Sequence, residues 1–363
     1  MTVRVKKQHY ISRTYLQGFS LPTQKKDLLW VRDSQGNWRA SRPESEGFEN
    51  DFQSLIDEDG NKSDALETYF APFEGNFKTT IRKIEQTRRF PQGPAEVGTF
   101  LSIMGLFAIR IPRVRERFKQ FATEGMKKTM GLILKDKATY TAQMEKAHKD
   151  GYLNEIPPYE KMLAFHQSEQ YSIKHDPMWV LQTIFKSADS ITDLLHLRNW
   201  MVVEAPAPLL ITSSKPVNPF WTLSHSFSLR GKIPFLDPKI FASHPTISAS
   251  YIPYNEPTGL FPPFVPGFGT LFSMIVFPLT PCLALIGSWS PLPPYSKIDY
   301  CTAQAINWVT ANSDADNVYS PQKIPVFPWN SYFAPFLQDF HNQIGTRLVR
   351  CKKGATGRNF NDQ

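Results

Sequence analysis

The sequence predicts an α+β fold: a helical N-terminal lobe carrying a short hairpin, and a Pro- and aromatic-rich C-terminal half built on a small buried sheet. Three observations point there. Leu66, Tyr69, Phe70, Phe73, Phe77, Ile81 and Ile84 fall on one stripe at helical spacing, so Asp64 to Arg88 is a helix packed on a core. Thr270 to Trp289 carries no charge but holds Pro278 and Pro281, which suits two paired buried strands better than a membrane-spanning helix. More than half of the thirty prolines lie between Met201 and Tyr300, so the character of the chain changes near residue 200. The expected divisions are 1–199, 200–350 and a basic, disordered tail over 351–363.

Taken in order, Gln8 to Phe19 reads as a short helix, with Tyr10, Tyr15, Leu16 and Phe19 at helical spacings and Gly18 as its stop. Asp27 to Ala40 reads as a hairpin around Asp33-Ser34-Gln35-Gly36-Asn37. Ser41 to Asp59 reads as polar loop anchored by Phe48 and Phe52. After the helix from Asp64, with Ser63 as its cap, Pro91 and Pro94 interrupt. A second helix runs from Ala95 to about Phe121, buried all round over Phe100 to Ile111 and kinked or ended by Pro112. Phe121 to His175 is charged and amphipathic, with Lys127, Lys128, Lys135, Lys137, Lys146 and Lys149 on exposed helices. A helix over Pro177 to about Leu195 follows. Trp200–Glu204 and Leu209–Thr212 read as a hairpin or adjacent strands, and Leu271–Phe277 and Cys282–Trp289 as two buried strands. Phe220 to Phe268 reads as long loop packed by aromatics. Tyr300–Asn312 is a helix with Ala303, Ile306 and Val309 inward, and Tyr332–Val349 is expected to add one more.

A chain of 363 residues with 41% hydrophobic content can bury a large core. Three cysteines with no CxxC spacing point to reduced thiols in a cytosol rather than to a disulfide scaffold. The N-terminus has no apolar h-region, so a cytoplasmic protein without a membrane span is expected. A net charge of +8 favours phosphate-rich partners.

No GxGxxG, GxxxxGK[ST], HExxH or GxSxG pattern and no zinc-spaced Cys/His set is present, so any site is assembled from scattered residues. The densest polar constellation surrounds His9 and Arg13. On one helix they share a face, and a cation beside an imidazole disfavours its protonated form, leaving a neutral base or metal ligand. The structural alternative is that both pin the N-terminus. Glu67 and Glu74, seven residues apart, edge the apolar stripe and need partners there, with Arg13, Arg110, Arg113 and His9 as candidates. Near an imidazole the two carboxylates are a set for Mg²⁺ or Mn²⁺ or for general-base work; the alternative is that they neutralise arginines. Arg110, Arg113 and Arg117 fall on one face of a continuous helix, a clamp for phosphate or a solvated helix end. Thr212-Ser213-Ser214-Lys215-Pro216 ends a strand, so Ser213 presents a hydroxyl to a ligand or closes a turn.

Several of these segments resemble one family. Gln8-His9-Tyr10-Ile11-Ser12-Arg13-Thr14-Tyr15-Leu16-Gln17-Gly18-Phe19 resembles the opening of the domain of unknown function 4238 family, departing at Ser12, where Pro is usual. Glu67…Phe70…Glu74 resembles the family's glutamate-bearing helix, and Arg110-Ile111-Pro112-Arg113 its Arg-x-Pro element. Ile211 to Pro216 resembles a strand ending Thr-Ser-Asp-x-Pro, with Ser214 in place of Asp. Phe277 to Pro281 and the helix with Asn307 resemble its closing elements. The resemblance implies a mixed α/β domain of this length and supplies no reaction.

Two functions follow as expectations. One is an enzyme acting on a phosphate-bearing substrate such as nucleic acid, a nuclease or phosphate-ester hydrolase. In it His9, Glu67 and Glu74 do acid–base or metal chemistry, and Arg13, Arg110, Arg113 and Ser213 bind substrate. A defence or toxin role is one setting for it. The alternative is a non-enzymatic binding or sensing module.

Overall fold

The structure is a computed structural model; it describes residues 6–21, 27–56, 62–221, 267–270, 273–313 and 315–323, without the side chains of residues 67–69, 221 and 301. The expected loop over Phe220–Phe268 therefore lies largely outside the described residues, and the expected Tyr332–Val349 helix and the 351–363 tail lie wholly outside them. The fold is α+β. The described residues form two compact units: one holds those up to Ile111 and those from Phe185 onward, the other Pro112–Ile184.

In the first unit, the core is a five-stranded sheet in the order β12 (Tyr295–Lys297), β7 (Asn199–Glu204), β11 (Leu283–Ser288), β10 (Ser273–Pro278), β9 (Asn218–Trp221). The uncharged stretch forms the antiparallel pair β10–β11, and every residue of both strands is buried. Apolar residues on successive positions can be buried only when both sheet faces are covered. That is the case here. One face takes α8 (Tyr300–Ala311), whose Ala303, Ile306 and Val309 pack with Met201, Val203, Met274, Val276, Ala284 and Ile286. The other face takes an aromatic cluster from α1 (Arg13–Gln17), α2 (Ala65–Thr87) and α3 (Pro94–Ile109). Tyr15 stacks on Phe277 at 5.6 Å and Phe77 on Phe100 at 5.1 Å, and Phe107 meets Phe77 edge-on at 5.4 Å.

A second sheet has the order β3 (Trp38–Ser41), β2 (Leu29–Asp33), β13 (Asn317–Ser320), β8 (Thr212–Ser213). The expected hairpin is present as β2–β3, and a strand from the far end of the chain extends it. The expected hairpin of Trp200–Glu204 with Leu209–Thr212 is not formed: β7 and β8 belong to different sheets. Asn307 explains the separation. Its Nδ2 donates to Leu209 O at 2.8 Å and its Oδ1 accepts from Ile211 N at 3.0 Å, so α8 takes the backbone bonds that a hairpin partner would take.

The helix expected over Gln8–Phe19 is split. Lys7–His9 is a strand, β1, paired antiparallel with β4 (Phe48–Asn50) in the register His9↔Phe48, and only Arg13–Gln17 is helical. The buried side chain of Gln8 holds the extended form: Nε2 donates to Ser54 Oγ at 3.0 Å and Oε1 accepts from Gln53 N at 2.5 Å. Gly47, at φ +65°, closes the corner. Its carbonyl accepts from Tyr10 N and Ile11 N, and a Cβ there would lie 3.2 Å from Ile11. The Ser41–Asp59 stretch thus carries a short 3₁₀ turn, Pro43–Ser45, together with β4 and β5 (Leu55–Ile56), and β5 pairs with β6 (Lys62–Ser63).

α2 has the expected stripe, with Phe70, Phe77, Ile81 and Ile84 buried, and Ser63 Oγ accepts from Ala65 N at 3.3 Å. α3 is buried along Phe100–Ile109 and ends there; a new helix, α4 (Pro112–Ile133), begins at the proline. Pro112 lacks the N–H a continuous helix needs and disfavours helical geometry at Ile111, so the first helix ends before it.

In the second unit, α4, α5 (Lys137–Lys149) and α6 (Tyr159–Ser168) pack together, and α7 (Pro177–His196) starts there. Asp136 caps α5 by accepting from Ala138 N and Thr139 N, each at 2.9 Å. Tyr140 donates to Pro157 O and Tyr159 to Leu134 O, fixing the turns between helices. Among the described residues no single helix is long and apolar enough to cross a membrane.

Candidate anion site at the N-terminal motif

Arg110 organises the site. It caps α3 rather than riding on α4, so the expected face of Arg110, Arg113 and Arg117 does not exist. Its side chain is 4% exposed and lies over the Phe70 ring at 4.9 Å. Nη2 donates to the carbonyl oxygen of His9, and Nη1 stands 3.7 Å from Glu74 Oε1. Gln53 Nε2 reaches the same His9 carbonyl at 3.4 Å. One guanidinium therefore ties the end of β1 to α2. A buried cation needs such acceptors, because its desolvation is otherwise uncompensated.

Glu74 is half-buried at the edge of the apolar stripe and is also held from the other side. Ser12 Oγ donates to Glu74 Oε2 at 2.8 Å, and Thr14 Oγ1 lies 2.8 Å from Ser12 Oγ. Ser12 is fully buried at the start of α1, and its hydroxyl makes no helix-capping bond.

His9 precedes Ser12 in sequence, and its ring packs against Phe48 at 5.7 Å. Burial first, then the charges of Arg13, Arg110 and Lys7, lower its pKa from 6.5 to about 4. The imidazole is thus neutral at physiological pH. Its Nε2 is buried and carries no hydrogen bond among the described residues. His9 and Arg13 do not share a helix face, since β1 and α1 are separate elements, yet Arg13 still acts on the imidazole electrostatically. Arg13 is solvent-exposed.

Tyr15 fixes α1 beneath the site. Its hydroxyl donates to Pro278 O at 2.6 Å, so its contact with Thr212 Oγ1 at 2.7 Å is one it accepts. This joins α1 to β10 and β8 at once.

The other residues singled out from sequence lie elsewhere. Ser213 is fully buried; its Oγ donates to Lys215 O at 2.7 Å and accepts from Lys215 N at 3.3 Å, closing a turn. Arg113 is exposed and belongs to the second unit. Glu67 sits on α2, and its side chain lies outside the described residues. Among the described residues no three His, Cys, Asp or Glu side chains are grouped to hold a metal ion.

A family model described as a protein of unknown function, DUF4238, matches residues 7–323, from the first residue of β1 to just past β13. The chain belongs to the DUF4238 family. Comparison with curated proteins and with solved structures gave no match. Three of the segments that resemble the DUF4238 pattern meet around this network: the opening motif, the Glu74 helix and Arg110. Two departures from it are accounted for locally. Ser12, where Pro is usual, gives Glu74 a hydroxyl donor. Ser214, where Asp is usual, accepts from Asp316 N at 2.8 Å and Asn317 N at 3.2 Å, the turn-closing work a carboxylate would do.

Reading the sequence alone misses Thr14, which completes the hydroxyl chain, and Arg198. The latter is buried over Trp289 at 4.2 Å and donates to Ser273 O, Phe268 O and Ser273 Oγ. Burial brings its pKa down to about 10. The signal for Thr14 is its position two residues after a polar residue at a helix start.

Proposed function

We propose that the N-terminal motif of this DUF4238 protein is the site of an enzyme acting on a phosphate-bearing substrate, with nucleic acid as the substrate class. One observation carries this reading: Arg110 donates to the His9 carbonyl and Lys7 Nζ lies 4.7 Å over the Phe48 ring that His9 packs on, so burial and then the charges of Arg13, Arg110 and Lys7 keep the imidazole neutral. Such a site raises the local concentration of anions. It also holds His9 as a proton acceptor whose basicity rises when a dianion neutralises the surrounding charge. Arg110 acts as the scaffold, and the exposed Arg13 as the phosphate contact. The net charge of +8 supports encounter with polyanions.

The test is turnover of single- and double-stranded DNA and RNA and of small phosphate esters by the full chain, with and without Mg²⁺ or Mn²⁺. Arg13→Ala lowers kcat/KM at least tenfold without loss of stability, and His9→Ala lowers kcat. Rates equal to wild type in both variants overturn the assignment.

A second reading, a non-catalytic binding module, draws on the same network. Ser12, Glu74 and Arg110 are engaged with one another, as they would be in a rigid ligand platform. Binding of an oligonucleotide that weakens with salt, without turnover of any substrate offered, favours this reading.

A further inference from the structure

The hydrogen bonds around Ser12 have only one consistent direction. A hydroxyl carries one proton. That of Ser12 goes to Glu74 Oε2 at 2.8 Å, and a carboxylate facing Arg110 at 3.7 Å can only accept. The 2.8 Å contact between Ser12 Oγ and Thr14 Oγ1 must then be donated by Thr14. The result is a directed chain, Thr14 to Ser12 to Glu74. It starts on a half-buried hydroxyl beside the exposed Arg13, passes through a fully buried one and ends on a half-buried carboxylate. Because the proton of Thr14 points inward, its lone pairs are what it offers outward, so a group seated against Oγ1 has to be a hydrogen-bond donor.

We infer that Thr14 is the outer end of a proton relay to Glu74, and that the donor it receives is the attacking water of phosphate-ester hydrolysis. The second half rests on the proposed function; the relay itself does not. In the step, the water proton passes to Thr14 Oγ1 while the Thr14 proton moves to Ser12 and the Ser12 proton to Glu74 Oε2. The water oxygen uses the freed electron pair to form a new P–O bond. The ester P–O bond breaks, the departing alkoxide takes a proton from bulk water, and Glu74 returns its proton to solvent. Ester and water become acid and alcohol, with no redox partner. Glu74 is the terminal base for the attacking water's proton and Thr14 is the residue that touches that water, while His9 remains the separate acceptor that the bound dianion makes more basic.

Two measurements on the full chain separate the relay from the reaction. The first is the exchange rate of the Thr14 hydroxyl proton by NMR. It is slow in wild type and at least tenfold faster in Ser12→Ala; exchange at the solvent rate in wild type, or no change in Ser12→Ala, overturns the relay whatever the activity. The second uses whichever phosphate ester the wild type hydrolyses. Thr14→Val, isosteric but without the hydroxyl, lowers kcat by about 10²-fold with KM within about twofold, the range a positioned base supplies. It also abolishes the solvent isotope effect on kcat, and Thr14→Ser restores both. If Thr14→Val hydrolyses at the wild-type rate with an unchanged isotope effect, the relay plays no part in the reaction. If the wild type hydrolyses no ester while the exchange result stands, the relay survives and the phosphate reading falls.

Discussion

Replacing Glu74 by Ala withdraws the carboxylate from a buried guanidinium, and its cost can be worked from the geometry. At 3.7 Å the Glu74–Arg110 attraction is about 4 kcal/mol at the effective dielectric that suits such sites. Glu74 keeps 23% of its side-chain surface in water, so screening removes about half of this. The Ser12 bond to a charged acceptor adds about 1.5 kcal/mol. Arg110 keeps its His9 carbonyl and its place over Phe70, which limits the damage. The expected loss is about 2–4 kcal/mol, read as a lower urea midpoint at unchanged m-value. Glu74→Gln keeps an acceptor for Ser12 and loses less. In a double-mutant cycle with Arg110→Met, a coupling energy above about 1 kcal/mol is expected. A loss under about 0.5 kcal/mol for Glu74→Ala, together with zero coupling, would refute the claim that this pair ties β1 to α2.

Three further outcomes follow from other parts of the molecule. Because His9 in the folded chain sits at about 4 against 6.5 unperturbed, the unfolded chain binds a proton that the native state refuses. Its contribution is complete above 6.5, falls as the pH drops toward 4 and then levels off, by about 2–3 kcal/mol after screening; chemical denaturation across that window in wild type and His9→Asn reads the difference. Tyr15→Phe orphans the donor of Thr212 and the carbonyl of Pro278, and lowers stability by about 1–3 kcal/mol. Asn307→Ala leaves the buried Ile211 amide and the half-buried Leu209 carbonyl without this partner and costs about 1–3 kcal/mol, measured by the same unfolding assay.

The parts of the fold legible in the sequence are those with a long local signal. The α2 stripe, the all-round burial of α3, the β10–β11 pair and the inward residues of α8 all follow from periodicity or from continuous apolar runs. What escaped was non-local. β1 is three residues long, and its extended form is set by Gln8 reaching Ser54 and by β4, more than forty residues away. Helical spacing of Tyr10, Tyr15, Leu16 and Phe19 over so short a window could not report that competition. β8 and β13 are short strands paired across more than a hundred residues, and no pattern in either marks the partner. At the site, Arg110 was legible as a deep residue because it follows a buried run, and Glu74 as a rim carboxylate in need of a cation. Their pairing needed coordinates, as did the direction of the Ser12–Thr14 bond, which rests on counting protons at a half-buried carboxylate.

The most direct test of the central claim, that cations gather around a neutral His9 to receive a phosphate, is an NMR pH titration of its ring nitrogens with and without inorganic phosphate or a short oligonucleotide. An imidazole near 4 in the free protein should move up toward 6.5 as the anion is bound, and Arg13→Ala should shrink that movement. A His9 that titrates at an ordinary value in the free protein, or one that ignores the anion, would contradict it.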